Sequence, residues 1–167
     1  MLALGIDPGT EKTGFALVKE DDNGLISSTR FGVIKTASGL KPEQRLQIIY
    51  NELNEIILLH RPDTGAVEKL FFQKNVTNAM AVGQARGVIL LAMVNAGLEV
   101  AEYSPQEVKM AVTGYGAADK RQVQIMVQTM LNLENLPKPD DAADALAVAI
   151  CHLHSISYRD KLSIETK

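Results

Sequence analysis

Leu2-Ala3-Leu4-Gly5-Ile6-Asp7-Pro8-Gly9-Thr10, followed by Thr13-Gly14-Phe15-Ala16-Leu17-Val18-Lys19, decides the fold of this chain. Leu2 to Ile6 is a short apolar run that reads as a strand, and Thr13 to Lys19 reads as a second. Asp7-Pro8-Gly9-Thr10 between them is a turn signal. Asp21-Asp22-Asn23-Gly24 is another, and Asn-Gly favours a hairpin into a third strand from about Leu25 to Lys35. Three consecutive strands with short turns predict an antiparallel meander. Asp7 then ends an apolar strand, held by a rigid element and exposed at its rim. A turn-forming aspartate before Pro-Gly is the simple alternative.

Working outward, the pattern changes. Leu46, Ile49, Leu53, Ile56 and Ile57 recur at helical spacing, which predicts an amphipathic helix from Pro42 to His60. Gly65-Ala66-Val67-Glu68 reads as a short buried strand, and Asn75 to Ala96 as a long apolar helix. Gly97 is a helix stop before a strand from Leu98 to Tyr103. Ser104-Pro105-Gln106-Glu107 has the form of a capping box with proline in the first turn. Asp119 to Leu133 and Asp140 to His154 complete the set as helices. A meander followed by strands alternating with helices predicts an α/β fold with a mixed sheet covered by helices.

The chain has 167 residues, enough for one domain with a real core, and no linker or repeat divides it. We expect residues 1–154 to form that domain and the polar segment 155–167 to be a loosely ordered tail. Cys151 is the single cysteine, so no internal disulfide forms. The apolar start is too short for a signal peptide or a membrane span, and a soluble cytoplasmic protein is expected. The formal net charge of -3 lacks the basic excess usual in nucleic-acid binders. Where the charges fall matters more than their total.

Four acids stand out. Glu68 ends a short apolar strand, where a buried carboxylate is costly without a partner. A bound cation would explain it; a nearby Lys or Arg is the alternative. Asp140-Asp141-Ala142-Ala143-Asp144 opens the last helix, where acids also serve the helix dipole. Asp141 and Asp144, however, share one helix face that continues as Ala145 and Val148, so Asp144 sits at the edge of the core. Together with Asp7 these are hard oxygen ligands from several elements without a Cys or His cluster. Such a set suits Mg²⁺ or Mn²⁺ better than zinc. Paired divalent ions clamp the attacking and leaving oxygens of a phosphoryl displacement.

Basic and aromatic residues add to this. Lys120 and Arg121 occupy the first turn after Asp119, where cations oppose the dipole unless an anion binds there; chance placement on a solvated face is the alternative. Lys109, one short helix earlier, could serve the same groove. Phe71 and Phe72 lead into Gln73-Lys74-Asn75. In an extended segment their rings point to opposite sides, one to the core and one as a base-stacking wedge flanked by Lys69 and Lys74. Core use of both rings is the alternative. Gly83 and Gly87 on the long helix cost about 1 kcal/mol each relative to alanine. They imply close approach, either to the sheet or to a second copy of the chain.

Several of these motifs, in this order, resemble the RuvC family of bacterial Holliday junction resolvases from Met1 to about His154. They are Gly5-Ile6-Asp7-Pro8-Gly9 with Thr13-Gly14, Val67-Glu68 with Phe71-Phe72, and Gly83-Gln84-Ala85-Arg86-Gly87. The last two are Val112-Thr113-Gly114-Tyr115-Gly116 with Asp119-Lys120, and Asp141-Ala142-Ala143-Asp144-Ala145-Leu146-Ala147. The resemblance implies a ribonuclease H-like mixed five-stranded sheet with helices on both faces, a homodimer, and nicking of four-way DNA junctions dependent on two Mg²⁺ ions per site. It implies that Asp7, Glu68, Asp141 and Asp144 are the catalytic, metal-binding acids, although some members carry His at the Asp141 position. It places Phe71, Phe72 and Lys74 at the junction strands and Lys109 and Lys120 near the scissile phosphate. Arg121 accompanies Lys120 as a DNA contact. It also implies the RuvA–RuvB branch-migration complex as a partner. Two rivals stay open at this point. An actin-like phosphotransferase shares the first phosphate-loop pattern but needs two related domains, which this length does not hold. A catalytically idle nucleic-acid binder would bind a junction without cutting it.

Overall fold

The computed structural model describes residues 1–70 and 76–165. Its strands are β1 (Leu2–Asp7), β2 (Lys12–Glu20), β3 (Ile26–Lys35), β4 (Thr64–Glu68) and β5 (Val100–Tyr103). Its helices are α1 (Pro42–His60), α2 (Val76–Asn95), α3 (Pro105–Thr113), α4 (Lys120–Met130) and α5 (Asp140–Glu165). The strands form one five-stranded sheet in the order β3-β2-β1-β4-β5. β1, β2 and β3 pair antiparallel as the expected meander, while β4 pairs parallel to both β1 and β5. Among the described residues no helix is long and apolar enough to cross a membrane.

The two faces of the sheet carry different side chains, by strand alternation. Leu4, Ile6, Leu17 and Val67 build a bulky core with α1 and α2 through Ile49, Leu53, Ile89 and Met93. Ala3, Ala16, Val18 and Ala66 face the other way, against Ala145, Leu146, Ala149 and Ile150 of α5, with α3 and α4 completing that layer. Small residues on the α5 side let that helix lie unusually close to the strands. Ser104 caps α3 by accepting from the Glu107 amide, as the capping box predicts.

The segment after Ser155 differs from the expected loose tail. α5 continues through it to Glu165. Two of its polar side chains find partners: Ser155 Oγ donates to the Cys151 carbonyl at 2.8 Å, and Ser157 Oγ donates to Glu20 of β2 at 3.0 Å. His154 to Ser157 are half-buried, so a polar composition there serves a helix lying along the sheet.

Candidate active site

Strand register brings the first two acids together. Asp7 is the register partner of Gly14, and Ile6 is the parallel partner of Val67, so Asp7 and Glu68 end adjacent strands. α5 crosses this end of the sheet. A methyl added at Gly14 would strike the Asp141 carbonyl, and one at Gly5 would lie 2.6 Å from the Ala149 amide nitrogen. The glycines of Gly5-Ile6-Asp7 and Thr13-Gly14 are therefore steric. They let the α5 backbone rest directly on β1 and β2, which delivers Asp141 and Asp144 to the strand ends.

The electrostatics follow from this enclosure. Burial, reinforced by Glu68, Asp144 and Asp141, pushes the Asp7 carboxyl up to about 8. Burial and the Asp144 charge push Glu68 up to about 7, against the pull of Lys109 and Lys120. Burial also raises Asp144, with Lys120 opposing the shift. Burial on its own would lower the Lys120 ammonium, but Asp144 and Asp140 outweigh it and hold the pKa above its ordinary value. Lys120 Nζ stands 3.1 Å from Asp144 Oδ2 and 3.3 Å from Asp140 Oδ2.

One cleft of about 240 Å³ gathers Glu68, Lys109, Lys120 and Asp144, with Pro105, Val108, Val123 and Ala147 as its apolar walls. A larger concavity of about 710 Å³ between α3 and α5 holds none of the predicted site residues. Asp119 caps α4 by accepting from the Gln122 amide at 2.8 Å, which fixes the turn that projects Lys120. Arg121 is exposed at the next position and does not line the cleft. Phe71, Phe72 and Lys74 lie outside the described residues. Asp140, which reads from sequence as a helix-capping acid, is a second partner of Lys120. It is oriented by Gln124 Nε2, which donates to it at 3.0 Å. Its place in the run Asp140-Asp141 was the only available signal.

The donor set fits a hard divalent cation. Asp7, Glu68 and Asp144 repel one another in a partly buried site, and a cation is the group that would allow all of them to ionise. Among the described residues, no three acidic, histidine or cysteine side chains converge tightly enough to grip one ion by themselves.

Partly buried acids on the strand ends of a mixed sheet, sharing a cleft with lysines, fit the class of metal-dependent nucleases. Comparison with known proteins narrows the class. The family described as Crossover junction endodeoxyribonuclease RuvC matches residues 3–152, and the chain belongs to that family. The RuvC of Heliobacterium modesticaldum is 54% identical over 158 residues, covering 95% of this chain and 97% of the relative. That of Pelotomaculum thermopropionicum is 51% identical and covers 99% of this chain and 100% of its own. Among solved structures, Thermus thermophilus RuvC in complex with Holliday junction substrate is 36% identical with a TM-score of 0.86, covering 91% of this chain and 92% of that one. The fold is accordingly ribonuclease H-like, and the chain is a metal-dependent endodeoxyribonuclease.

Proposed function

We propose that the chain resolves four-way DNA junctions in homologous recombination and repair by paired symmetric nicks, leaving 5′-phosphate and 3′-hydroxyl ends. The observation that carries this is the cleft in which Glu68 and Asp144 oppose Lys109 and Lys120. Asp7, Glu68, Asp141 and Asp144 would hold two Mg²⁺ ions, or Mn²⁺ in their place, supplying the charge that activates water and stabilises the departing 3′ oxygen. Burial, with the neighbouring acids, holds the Asp7 and Glu68 carboxyls high, so a cation held there would favour their ionised forms. Lys109 and Lys120 set ammonium groups where the phosphate gains negative charge in the transition state. Arg121, Lys74, Phe71 and Phe72 complete the DNA contacts by family resemblance.

The chain works as a homodimer in this proposal, joined through α2. A methyl at Gly83 or Gly87 would meet nothing, so these glycines do not serve approach to the sheet. On the helix they alternate at three- and four-residue spacing with Met80, Leu91 and Val94, which are 67%, 54% and 61% exposed. Such a seam matches a second copy of the same helix. A two-fold dimer presents two equivalent sites to a two-fold junction. Residues 1–154 supply the nuclease domain, the RuvA–RuvB complex is the branch-migration partner, and the cytoplasm is the compartment.

A labelled synthetic four-way junction incubated with protein and Mg²⁺ tests the proposal. Wild-type protein should give paired nicks at symmetric positions, and Asp7→Asn should bind the junction without product. Full cleavage by Asp7→Asn would remove the site assignment. Binding without cleavage by the wild type would favour an idle relative.

A further inference from the structure

β2 and β3 place two lysines directly opposite one another. Lys12 is the register partner of Lys35 at the end of the antiparallel ladder. Cross-strand partners point to the same face, and like charges opposite each other are destabilising. Both side chains are exposed, and among the described residues neither forms an ion pair, with Glu11 or with any other acid.

Their location is informative. Lys12 is two residues from Gly14 on the same strand, and Gly14 pairs with Asp7. Alternation puts Lys12, Gly14 and Asp7 on one face, the face covered by α5. The lysine pair thus lies about 7 Å along β2 from the row of acids. Lys109 and Lys120 come from α3 and α4, beyond the β4 side of the acids, while Lys12 and Lys35 come from the β2–β3 side. Cations flank the acid row on both sides.

Resting on the DNA-cleavage reading above, we propose that Lys12 and Lys35 form a phosphate-binding pair for the DNA strand one or two nucleotides from the cleaved bond. A strand rises about 3.4 Å per nucleotide, so a backbone lying across the acids reaches the lysines within that distance. A phosphate there relieves the repulsion that the bare ladder carries. The acids repel the same backbone, so cations beyond them on each side hold the strand down over the site.

The test is the salt dependence of junction binding, measured in Ca²⁺ to prevent cutting. Each phosphate contact contributes about 0.7–0.9 to the slope of log K against log salt. With one such pair on each subunit of the dimer, Lys12→Gln/Lys35→Gln should lower that slope by about 3, each single variant should lower it by about half as much, and Lys12→Arg/Lys35→Arg should keep it. Lys19→Gln, at the far end of β2, should leave it unchanged. The double Gln variant should melt no lower than wild type, because a like-charge pair has been removed. A wild-type slope in the double variant overturns the proposal while leaving the nuclease assignment intact. Failure of the wild-type protein to prefer a junction over duplex overturns the reading on which it rests.

Discussion

Asp7 is the residue on which most forces converge. Its carboxyl stands near 8 against an ordinary 3.8, and that of Glu68 near 7 against 4.5. Between those values the folded protein holds protons that the unfolded chain has released. This contribution to stability is fully present at low pH and is lost as pH rises through the folded values. In EDTA, thermal melts should therefore show a falling Tm as pH increases through that window, and Mg²⁺ should reverse the fall at the alkaline end. Asp7→Asn should raise the metal-free Tm at pH 8 by on the order of 5 °C, since it deletes a repelled charge. An unchanged or lower Tm would contradict the electrostatic account. Lys120 acts through charge aimed at the cleft, so Lys120→Ala should slow single-turnover cleavage by about 10²-fold. An unchanged rate would remove it from the site.

At the scale of elements, the decisive contact is α5 on β1 and β2. Two of the four acids ride on α5, and at its N-terminal half the approach to the sheet depends on Gly5 and Gly14. Gly14→Ala forces a methyl into the Asp141 carbonyl, which overpacking should translate into about 1–3 kcal/mol of lost stability. The greater effect should be on cleavage, because a displacement of about 1 Å at reacting groups costs on the order of 10²-fold. Comparing chemical denaturation with cleavage rates separates the two: a Gly14→Ala protein that melts lower yet cuts normally would show that α5 does not set the site. The capping box of α3 was plain in the residues Ser104–Glu107, because capping is a local transaction between a side chain and a nearby amide. The extent of α5 was not plain, because Ser157, beyond its expected end, is held by Glu20 on a strand distant in the chain.

For the whole molecule, the exposed α2 seam is the feature a lone copy does not explain. Leu91→Glu introduces a charge into it without touching either core, so the subunit should remain folded while sedimentation shifts from dimer to monomer. Paired cutting should then decay into single nicks, since one subunit holds one site. Unaltered dimers in that variant would exclude α2 as the interface. Arg86, on the inward side of the same helix, pairs with Glu102 of β5, so the two faces of α2 are distinguished by what they meet.

The residues alone determined the order and type of the elements, because periodicity, turn chemistry and caps act over a few neighbours. They also marked Asp7, Glu68, Asp141 and Asp144 as candidates, each a modest signal by itself with a turn, a cap or a basic partner as its alternative, which the family resemblance then joined into one set. Tertiary structure decided what those acids do to one another. Only the β1–β4 register sets Asp7 beside Glu68, and only glycine contacts let α5 complete the group. Packing also turned Asp140 from a cap into a partner of Lys120 and turned Gly83 and Gly87 away from the sheet. The physical reason is one of range: a hydrophobic pattern specifies a face, whereas a shifted pKa or a cleft arises from groups distant in the chain and brought into contact by the core.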